Sequence, residues 1–279
     1  MADYNKRYRD TVFRNYFNDE ARLLSLCNAL LGTDAVALKI NTLEGTFFDR
    51  QKNDISCVVE NNFLVLIEHQ STINENMPFR CLSYVAELLN NLVVDKDRLY
   101  HKALIKFPAP RFYVFYDGND SQPVEREMRL SEAFTSPNSA LELVVTSLNI
   151  NFGLAQPLLL KCQYLREYST LVGKVKEGIR AGLTRKEAIS RAVKFCLDNG
   201  LMKGYLEFNS QEVFNMLALQ WEQDKAIRAS YEDGRDDGIS EGIEKIALKM
   251  IRLGKPLEDI IQITDLPLER IQKLSLQRD

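Results

Sequence analysis

The sequence predicts an α/β protein with a mixed central sheet, helices on its faces and an all-helical C-terminal extension. Strand-like segments precede a helix in the first part of the chain, another strand candidate follows that helix, and strand signals stop after Asn151. A helix between two strands of one sheet indicates a right-handed crossover. A chain of 279 residues can bury a sizeable core. We predict a first domain over residues 1–155 and a helical region over residues 156–279.

The first element is helical. Apolar residues recur at helical spacing over Tyr8–Leu31, Asn18–Asp19 is a candidate break into two helices, and Gly32 is a candidate stop. Val36–Leu43 is the candidate first strand.

A hairpin follows and supplies the second and third strands. Residues 54–60 alternate between polar and apolar side chains, which predicts a strand with one buried face. Phe63–Ile67 is a continuous apolar run that ends in the polar residues Glu68–Gln70, as expected of a buried strand that emerges at a polar site. A turn at Asn61–Asn62 joins the two strands.

The length of this turn decides which side chains share a face of the sheet. A two-residue turn at Asn61–Asn62 would pair Asp54 with His69, away from Glu68. A three-residue loop that adds the next residue would pair Asp54 with Gln70 and bring the acidic side chains together. A β-bulge near Asp54 would have the same effect.

The helix between the third and fourth strands is predicted over Met77–Val94, with Asn76 as its N-cap and Pro78 in its first turn. Its apolar stripe is Leu82, Val85, Ala86, Leu89, Leu92 and Val93, and a second stripe is Arg80, Tyr84, Glu87 and Asn91. The fourth and fifth strands are Arg111–Tyr116 and Leu143–Ile150. The later helices are Leu158–Lys174, Arg185–Leu197, Ser210–Trp221, Glu222–Leu253 and a terminal helix-turn-helix pair, Leu257–Ile263 and Leu268–Leu274.

Three glycines recur every fourth residue in the long C-terminal helix, at Gly234, Gly238 and Gly242. Each costs a helix about 1 kcal/mol relative to alanine, so their register suggests close approach of another helix. The partner would be a helix of the same chain or of a second copy. The second alternative predicts a homodimer through the C-terminal helical region. A flexible linker is the alternative.

Composition restricts the class of protein. The chain is 45% hydrophobic and 27% charged, has no apolar run of the about 20 residues that span a membrane, and begins without the apolar core of a secretory signal. We therefore expect a cytoplasmic protein with no membrane partner. The five cysteines and two histidines lack the spacing of a zinc site or of a Ser-His-Asp triad.

The net charge of −3 excludes a protein that coats nucleic acid by bulk electrostatics. Lys161–Lys203 nevertheless contains ten Lys or Arg and four Asp or Glu residues. This excess indicates either a local phosphate-binding face or a solvated helix surface.

Thirteen residues separate Asp54 from the Glu68-x-Gln70 motif. This arrangement resembles the PD-(D/E)XK nuclease superfamily. Together with the following MPFR…Y, it resembles more narrowly the Rpn family of recombination-promoting, transposase-like nucleases. The N-terminal YRDTVFRNYF and the glycine-spaced helix are also similar to that family, so the resemblance covers most of the chain.

The resemblance implies a restriction-endonuclease-like αβββαβ core and a Mg²⁺- or Mn²⁺-dependent DNA endonuclease with a role in recombination or transposon-like DNA processing. It implies Asp54, Glu68 and the backbone carbonyl of His69 as metal ligands, because Mg²⁺ prefers oxygen ligands. Asp10 is a further candidate ligand, and a helix N-cap is its alternative role.

Gln70 stands where many members of the superfamily carry lysine. An amide cannot carry a proton but can orient water or a phosphate, which leaves the general base open. Arg80 is a candidate phosphate contact, and Tyr84 a candidate brace for Gln70 or the backbone. Two alternatives stay open: an ordinary salt-bridge cluster of Asp54, Glu68 and Arg80, and a catalytically inactive nuclease-fold protein that binds DNA or assembles proteins.

Overall fold

The computed structural model describes residues 12–43, 53–136 and 139–276, without the side chains of residues 219–233, 236, 237 and 276. The chain forms two compact units, Met1–Gln220 and Trp221–Asp279. The first unit contains the sheet. The predicted α/β class with a mixed sheet and flanking helices is confirmed, whereas the boundary between residues 155 and 156 stays a prediction.

Two short helices open the described chain, α1 (Val12–Phe17) and α2 (Glu20–Leu31). They are separate because the side chain of Asp19 accepts a hydrogen bond of 3.0 Å from the backbone N–H of Arg22 and caps α2. Gly32 ends α2 with a φ of 66°. The predicted break and the predicted stop are both confirmed.

Six strands form one sheet within the described residues, in the order β1-β2-β3-β4-β6-β5. Their bounds are β1 Leu38–Ile40, β2 Ile55–Val59, β3 Phe63–Gln70, β4 Ala109–Tyr116, β5 Glu125–Arg129 and β6 Val144–Asn149. The pairs β3/β4 and β4/β6 are parallel, and the other pairs are antiparallel. The carboxyl ends of β3, β4 and β6 therefore meet at one edge of the sheet.

The sequence did not predict β5. This edge strand reads EREMR and buries only Met128, so it shows no run of apolar residues and no strand-like composition. An edge strand needs to pair on one side only, and its charged residues face water. The sheet consequently has one strand more than the five predicted.

The hairpin between β2 and β3 has a three-residue loop, Glu60–Asn62, because Val59 pairs with Phe63. Glu60 and Asn61 have positive φ angles of 48° and 58° and close the turn one residue earlier than predicted. The ladder pairs residues 55 and 67, so the next position brings Asp54 opposite Glu68. The loop has three residues, as the shared face requires, but it starts one residue earlier than Asn61, so the partner of Asp54 is Glu68 rather than Gln70.

Helix α3 (Met77–Leu92) connects β3 to β4 and covers one face of the sheet. Pro78 lies in its first turn as predicted, but the side chain of Asn76 forms no capping hydrogen bond. The buried face of α3 also differs from the predicted apolar stripe. The buried residues are Met77, Pro78, Cys81, Tyr84, Val85 and Leu88, because the Tyr84 ring packs into the core that the strands form.

The remaining α-helices of the described chain are α4 Pro157–Lys161, α5 Gln163–Arg180, α6 Arg185–Asp198, α7 Lys203–Arg252, α8 Leu257–Thr264 and α9 Leu268–Leu276. The two helices predicted over residues 210–253 form the single helix α7. Helix α5 buries Leu165, Tyr168, Leu171 and Val175. Within the described residues, none of the helices has both the length and the apolar character needed to cross a membrane.

The second unit has a small core of its own, made by Ala247, Ile251, Ile260, Ile271 and Leu274. The predicted pair of terminal helices is confirmed as α8 and α9. At Gly234, Gly238 and Gly242, a Cβ atom would meet no heavy atom within 4 Å in the part of the chain that the structure describes. A partner helix from the same chain is therefore not found there, and pairing with a second copy stays a prediction.

Candidate functional site

A polar cleft lies at the carboxyl end of β3, on the face of the sheet that α3 covers. Its volume is about 270 Å³. It is lined by Asp54, Glu68, His69, Gln70, Ser71, Thr72, Asn74 and Arg80. Glu68 and Gln70 point to this face because alternate residues of β3, Leu64 and Leu66, pack in the core beneath α3.

Asp54 and Glu68 hold each other in place at the point where the ladder between β2 and β3 ends. The backbone N–H of Asp54 donates to Glu68 Oε1 at 3.1 Å, and the backbone N–H of His69 donates to Asp54 Oδ2 at 2.8 Å. Backbone pairing between β2 and β3 ends at Ile55, and these hydrogen bonds to side chains continue the contact between the two strands. The two carboxylates lie side by side as a consequence.

The backbone carbonyl of His69 belongs to the same corner. In a strand, the N–H and the C=O of one residue point to the same side, and the N–H of His69 points to Asp54. Backbone pairing with β2 has already ended there. The carbonyl of His69 is therefore directed toward the Asp54 side of the cleft, as a metal ligand would need to be.

Glu68 is an unusual carboxyl group because it is only 3% exposed and next to a second acid. Burial, followed by the charge of Asp54, raises the pKa of Glu68 to about 8, although Arg80 and the N–H of Asp54 lower it in part. The site therefore has too little positive charge for two ionised carboxylates. A bound cation would remove this deficit.

Arg80 supplies positive charge to the cleft, beside the two carboxylates. Its Nη2 donates to Glu68 Oε2 at 2.9 Å and to the hydroxyl oxygen of Tyr84 at 2.9 Å, and its Nε donates to the same hydroxyl at 3.2 Å. Tyr84 thus braces Arg80, one turn earlier on α3, rather than Gln70. This contact fixes the guanidinium against Glu68.

Gln70 lines the cleft beside these groups. Its Nε2 lies 2.7 Å from Met77 Sδ, and Nη1 of Arg80 lies 3.3 Å from the same sulfur. A thioether is a weak acceptor, so these donors lose little when a phosphate oxygen or a water replaces the sulfur. Gln70 and Arg80 can therefore both donate into the cleft.

The His69 side chain lies on the opposite face of the sheet, as the alternation of β3 predicts. Its Nε2 lies 3.1 Å from Asp117 Oδ2 and 3.0 Å from the hydroxyl of Tyr168, and its ring stacks on Phe13 with centroids 4.9 Å apart. Burial lowers the pKa of His69, but the Asp117 carboxylate outweighs it and raises that pKa above its ordinary value. Burial likewise raises the pKa of Asp117, but His69 and then Lys176 bring it below the ordinary value.

Sequence reasoning missed this buried pair. Asp117 begins an Asp-Gly turn after an aromatic strand. Its position at the carboxyl end of a parallel strand, where ligands often bind, was the signal that indicated a functional residue. Tyr168 gave no signal, because it is one of several aromatic residues on an amphipathic helix. Both residues anchor the backbone of β3 from behind the cleft.

The donor set at the cleft fits a hard divalent cation. Two carboxylates and a backbone carbonyl are oxygen ligands, and Mg²⁺ usually keeps several waters beside one or two carboxylates. Among the described residues, no group of three or more His, Cys, Asp or Glu side chains is arranged so that it could hold a metal ion. Asp10, the further ligand predicted from the resemblance, lies outside the described residues.

The raised pKa of Glu68 predicts how its replacement alters stability. A carboxyl whose pKa is higher in the folded state stabilises below its unfolded value, and this stability is lost as pH rises toward about 8. Without divalent cations we therefore expect Glu68→Gln to raise the free energy of unfolding at pH 8 by on the order of 2 kcal/mol, with no gain near pH 4. Urea unfolding at both pH values measures it.

The matched control is Glu75→Gln, because Glu75 is exposed and pairs with Arg126 at 3.0 Å. This variant should change the free energy of unfolding by less than about 1 kcal/mol at either pH, because an exposed ion pair contributes little. A Glu68→Gln variant that is less stable than the wild type at pH 8 would show that Glu68 is stabilised as an anion by Arg80.

Comparison with known proteins identifies no relative: no protein-family model, no curated protein and no solved structure matches the chain.

Proposed function

We propose that the protein is a Mg²⁺-dependent DNA endonuclease that hydrolyses phosphodiester bonds. The observation that carries the proposal is the pair of carboxylates, Asp54 and Glu68, held side by side in a polar cleft where one of them is buried with a raised pKa. Acidic side chains with strongly shifted pKa values cluster at functional sites. Arg80 beside them supplies donors that suit a phosphate.

Asp54, Glu68 and the backbone carbonyl of His69 would hold the cation, and Mn²⁺ would fit the same oxygen ligands. A bound divalent cation supplies Lewis acidity at a phosphoryl oxygen and lowers the pKa of water. The chain itself positions the substrate. The Nη1 group of Arg80 is directed at a weak sulfur acceptor and is available to a phosphate oxygen, while Tyr84 keeps the guanidinium from turning away.

Gln70 orients water or a phosphate oxygen in this proposal. Its amide lies on the same face as Glu68, two residues further along β3, and donates to nothing stronger than the sulfur of Met77 among the described residues. An amide cannot accept a proton from water at neutral pH. Removal of the proton therefore falls to solvent or to another acid–base group.

The proposal includes the finer fold and the role that the resemblance implies. The order α2, β1, β2, β3, α3, β4 agrees with a restriction-endonuclease-like αβββαβ core, followed by a helical C-terminal extension over residues 156–279. We assign the DNA processing to recombination or transposon-like events, as in the Rpn family. A homodimer through the glycine-spaced face of α7 would give such an enzyme two active sites.

One observation favours a second candidate. Arg80 already pairs with Glu68 at 2.9 Å, which is the contact that a purely structural ion-pair cluster would make. A nuclease-fold protein without catalysis that binds DNA or assembles proteins would keep this pair intact. The two candidates differ in whether the cleft needs a cation to act.

The test uses supercoiled plasmid DNA incubated with the wild-type protein in Mg²⁺, in Mn²⁺ and in EDTA. We expect nicked and linear products with either cation and none in EDTA, because two carboxylates cannot polarise a phosphate without a metal. Cleavage in EDTA would contradict the metal dependence. Intact plasmid in every condition would favour the protein without catalysis.

A further inference from the structure

A second cavity, of about 310 Å³, lies in the groove between α5 and α6, apart from the carboxylate cleft. It is lined by Lys174, Glu177, Gly178, Ala181, Arg191, Ala192 and Phe195. The two helices approach each other closely at the base of the groove, because Gly178 has no side chain that would separate them. A Cβ there would lie 2.9 Å from the Cβ of Ala188.

The ammonium group of Lys174 is held between two aromatic rings at one end of this cavity. Its Nζ lies 4.9 Å from the ring centroid of Phe195 and 5.3 Å from that of Phe152. Glu177 accepts from the same Nζ at 2.7 Å. The rings fix the position of this charge, and the exposed carboxylate of Glu177 is a partner that a phosphate can replace.

Arg191 faces the cavity from α6 and is exposed. No acidic side chain among the described residues lies within the 4.0 Å of an ion pair with it. A guanidinium presents a planar set of donors that matches phosphate oxygens. The cavity thus contains the ammonium group of Lys174, paired with Glu177, and a guanidinium that has no ionic partner among the described residues. Both belong to the segment whose Lys and Arg residues outnumber its acids by ten to four.

The groove is connected to the carboxylate cleft through the edge of the sheet. Lys176 of α5 donates to the backbone carbonyl of Asp117, just after β4, and to Asn151 Oδ1 at 2.9 Å, just after β6. Glu68 and Gln70 lie at the carboxyl end of β3 on this same edge. The groove lies on the face of the sheet opposite the cleft, because Tyr168 of α5 contacts the side chain of His69 on that face.

We propose that the groove formed by Lys174, Arg191 and Phe195 binds the phosphate backbone of the DNA strand on one side of the scissile bond. This inference rests on the proposed nuclease function and adds a substrate subsite to it. A strand that reaches from the cleft to the groove passes around the carboxyl edge of the sheet, and its phosphates follow each other about every 3.4 Å along a duplex axis. The cleft and the groove can then contact one DNA molecule.

The experiment measures binding of a fluorescein-labelled 20-base-pair duplex in EDTA, where no cleavage occurs. We expect Arg191→Glu to raise the Kd by at least about 10-fold and to reduce the slope of log K against log salt by about 1 or more, because one phosphate contact is replaced by repulsion. Arg191 is exposed, so the variant should unfold at the wild-type temperature, which circular dichroism measures.

The control is Lys194→Glu, which makes the same charge change on the same helix. Lys194 does not line the cavity and pairs with Asp198 at 3.0 Å. We expect its Kd to stay within about 2-fold of the wild type. An equal rise of the Kd in both variants would indicate bulk electrostatics only and would overturn the subsite. An unchanged Kd in Arg191→Glu would overturn it as well.

The two proposals fail in different ways. If the wild type cleaves plasmid but Arg191→Glu and Lys194→Glu bind the duplex alike, the groove is not a DNA site and the nuclease proposal stands. If no plasmid is cleaved and only Arg191→Glu loses affinity, the groove binds DNA in a protein that is not a nuclease.

Discussion

Replacement of Asp54 by asparagine is expected to lower Mg²⁺-dependent plasmid cleavage on the order of 10³-fold. The amide oxygen of the variant can still accept the hydrogen bond that the N–H of His69 donates to Asp54 Oδ2 at 2.8 Å, so the hairpin should keep its shape. The variant loses the negative charge that a divalent cation needs. The rate of conversion from supercoiled to nicked plasmid measures the effect.

Asp34→Asn is the control, since Asp34 is exposed and is not part of the cleft. It should cleave at the wild-type rate. The charge of Asp54 also contributes to the raised pKa of Glu68, so Asp54→Asn should lower the pKa of Glu68 toward its ordinary value. Equal cleavage rates in the wild type and in both variants would remove Asp54 from the site.

From the sequence, the acids share a face of the sheet if the loop has three residues or if a bulge lies near Asp54, and the register that pairs them was not predicted. Successive side chains of a strand alternate between the two faces of a sheet, so any odd loop length puts Asp54, Glu68 and Gln70 on one face. The predicted single buried face of β2 is wrong, because all five of its residues are buried. The loop begins at Glu60 because this residue and Asn61 adopt positive φ, which a glutamate rarely does. A turn that begins at such a residue has no sequence signal, so Asp54 was placed two positions away from its partner.

The residues behind the cleft were beyond sequence reasoning for a different reason. His69 was expected to point away from Glu68, and it does, but nothing in the sequence shows which groups it meets on the other face. Asp117 and Tyr168 are 48 and 99 residues further along the chain. Contacts at such separations depend on how helices pack on the sheet, which no local pattern contains.

Arg80 and Tyr84 show the same limit within one helix. The spacing of four residues correctly indicated that the two side chains are neighbours. It did not indicate that Tyr84 lies on the buried stripe, because the predicted stripe was built from aliphatic residues alone. The hydroxyl of Tyr84 needs a polar partner there, and the guanidinium of Arg80 provides it at 2.9 Å.

Asp117→Ala is expected to have the largest effect on stability, a loss of about 3–5 kcal/mol in the free energy of unfolding. Asp117 is 5% exposed and its carboxylate lies 3.1 Å from Nε2 of His69, which is also buried. Removal of one member of such a pair leaves the other without the charge that compensates its burial. Urea unfolding at pH 6 measures the loss.

The surface ion pair of Lys194 and Asp198 provides the control, because Asp198→Ala makes the same change at a side chain that is 59% exposed. Its loss should stay below about 1 kcal/mol. A similar small loss in Asp117→Ala would contradict a buried charged pair.

The pH dependence of that loss follows from the two pKa shifts. The raised pKa of His69 gives stability that is present below its unfolded value of about 6.5 and is lost as pH rises through the folded value. The lowered pKa of Asp117 gives stability that is present above its unfolded value of about 3.9 and is lost as pH falls through the folded value. The difference between wild type and Asp117→Ala should therefore be greatest between about pH 4 and pH 6.5 and should decrease as pH rises from about 6.5 through the folded pKa of His69. A difference that increases steadily toward pH 9 would mean that His69 is neutral in the folded protein and that Asp117 is stabilised by its other neighbours.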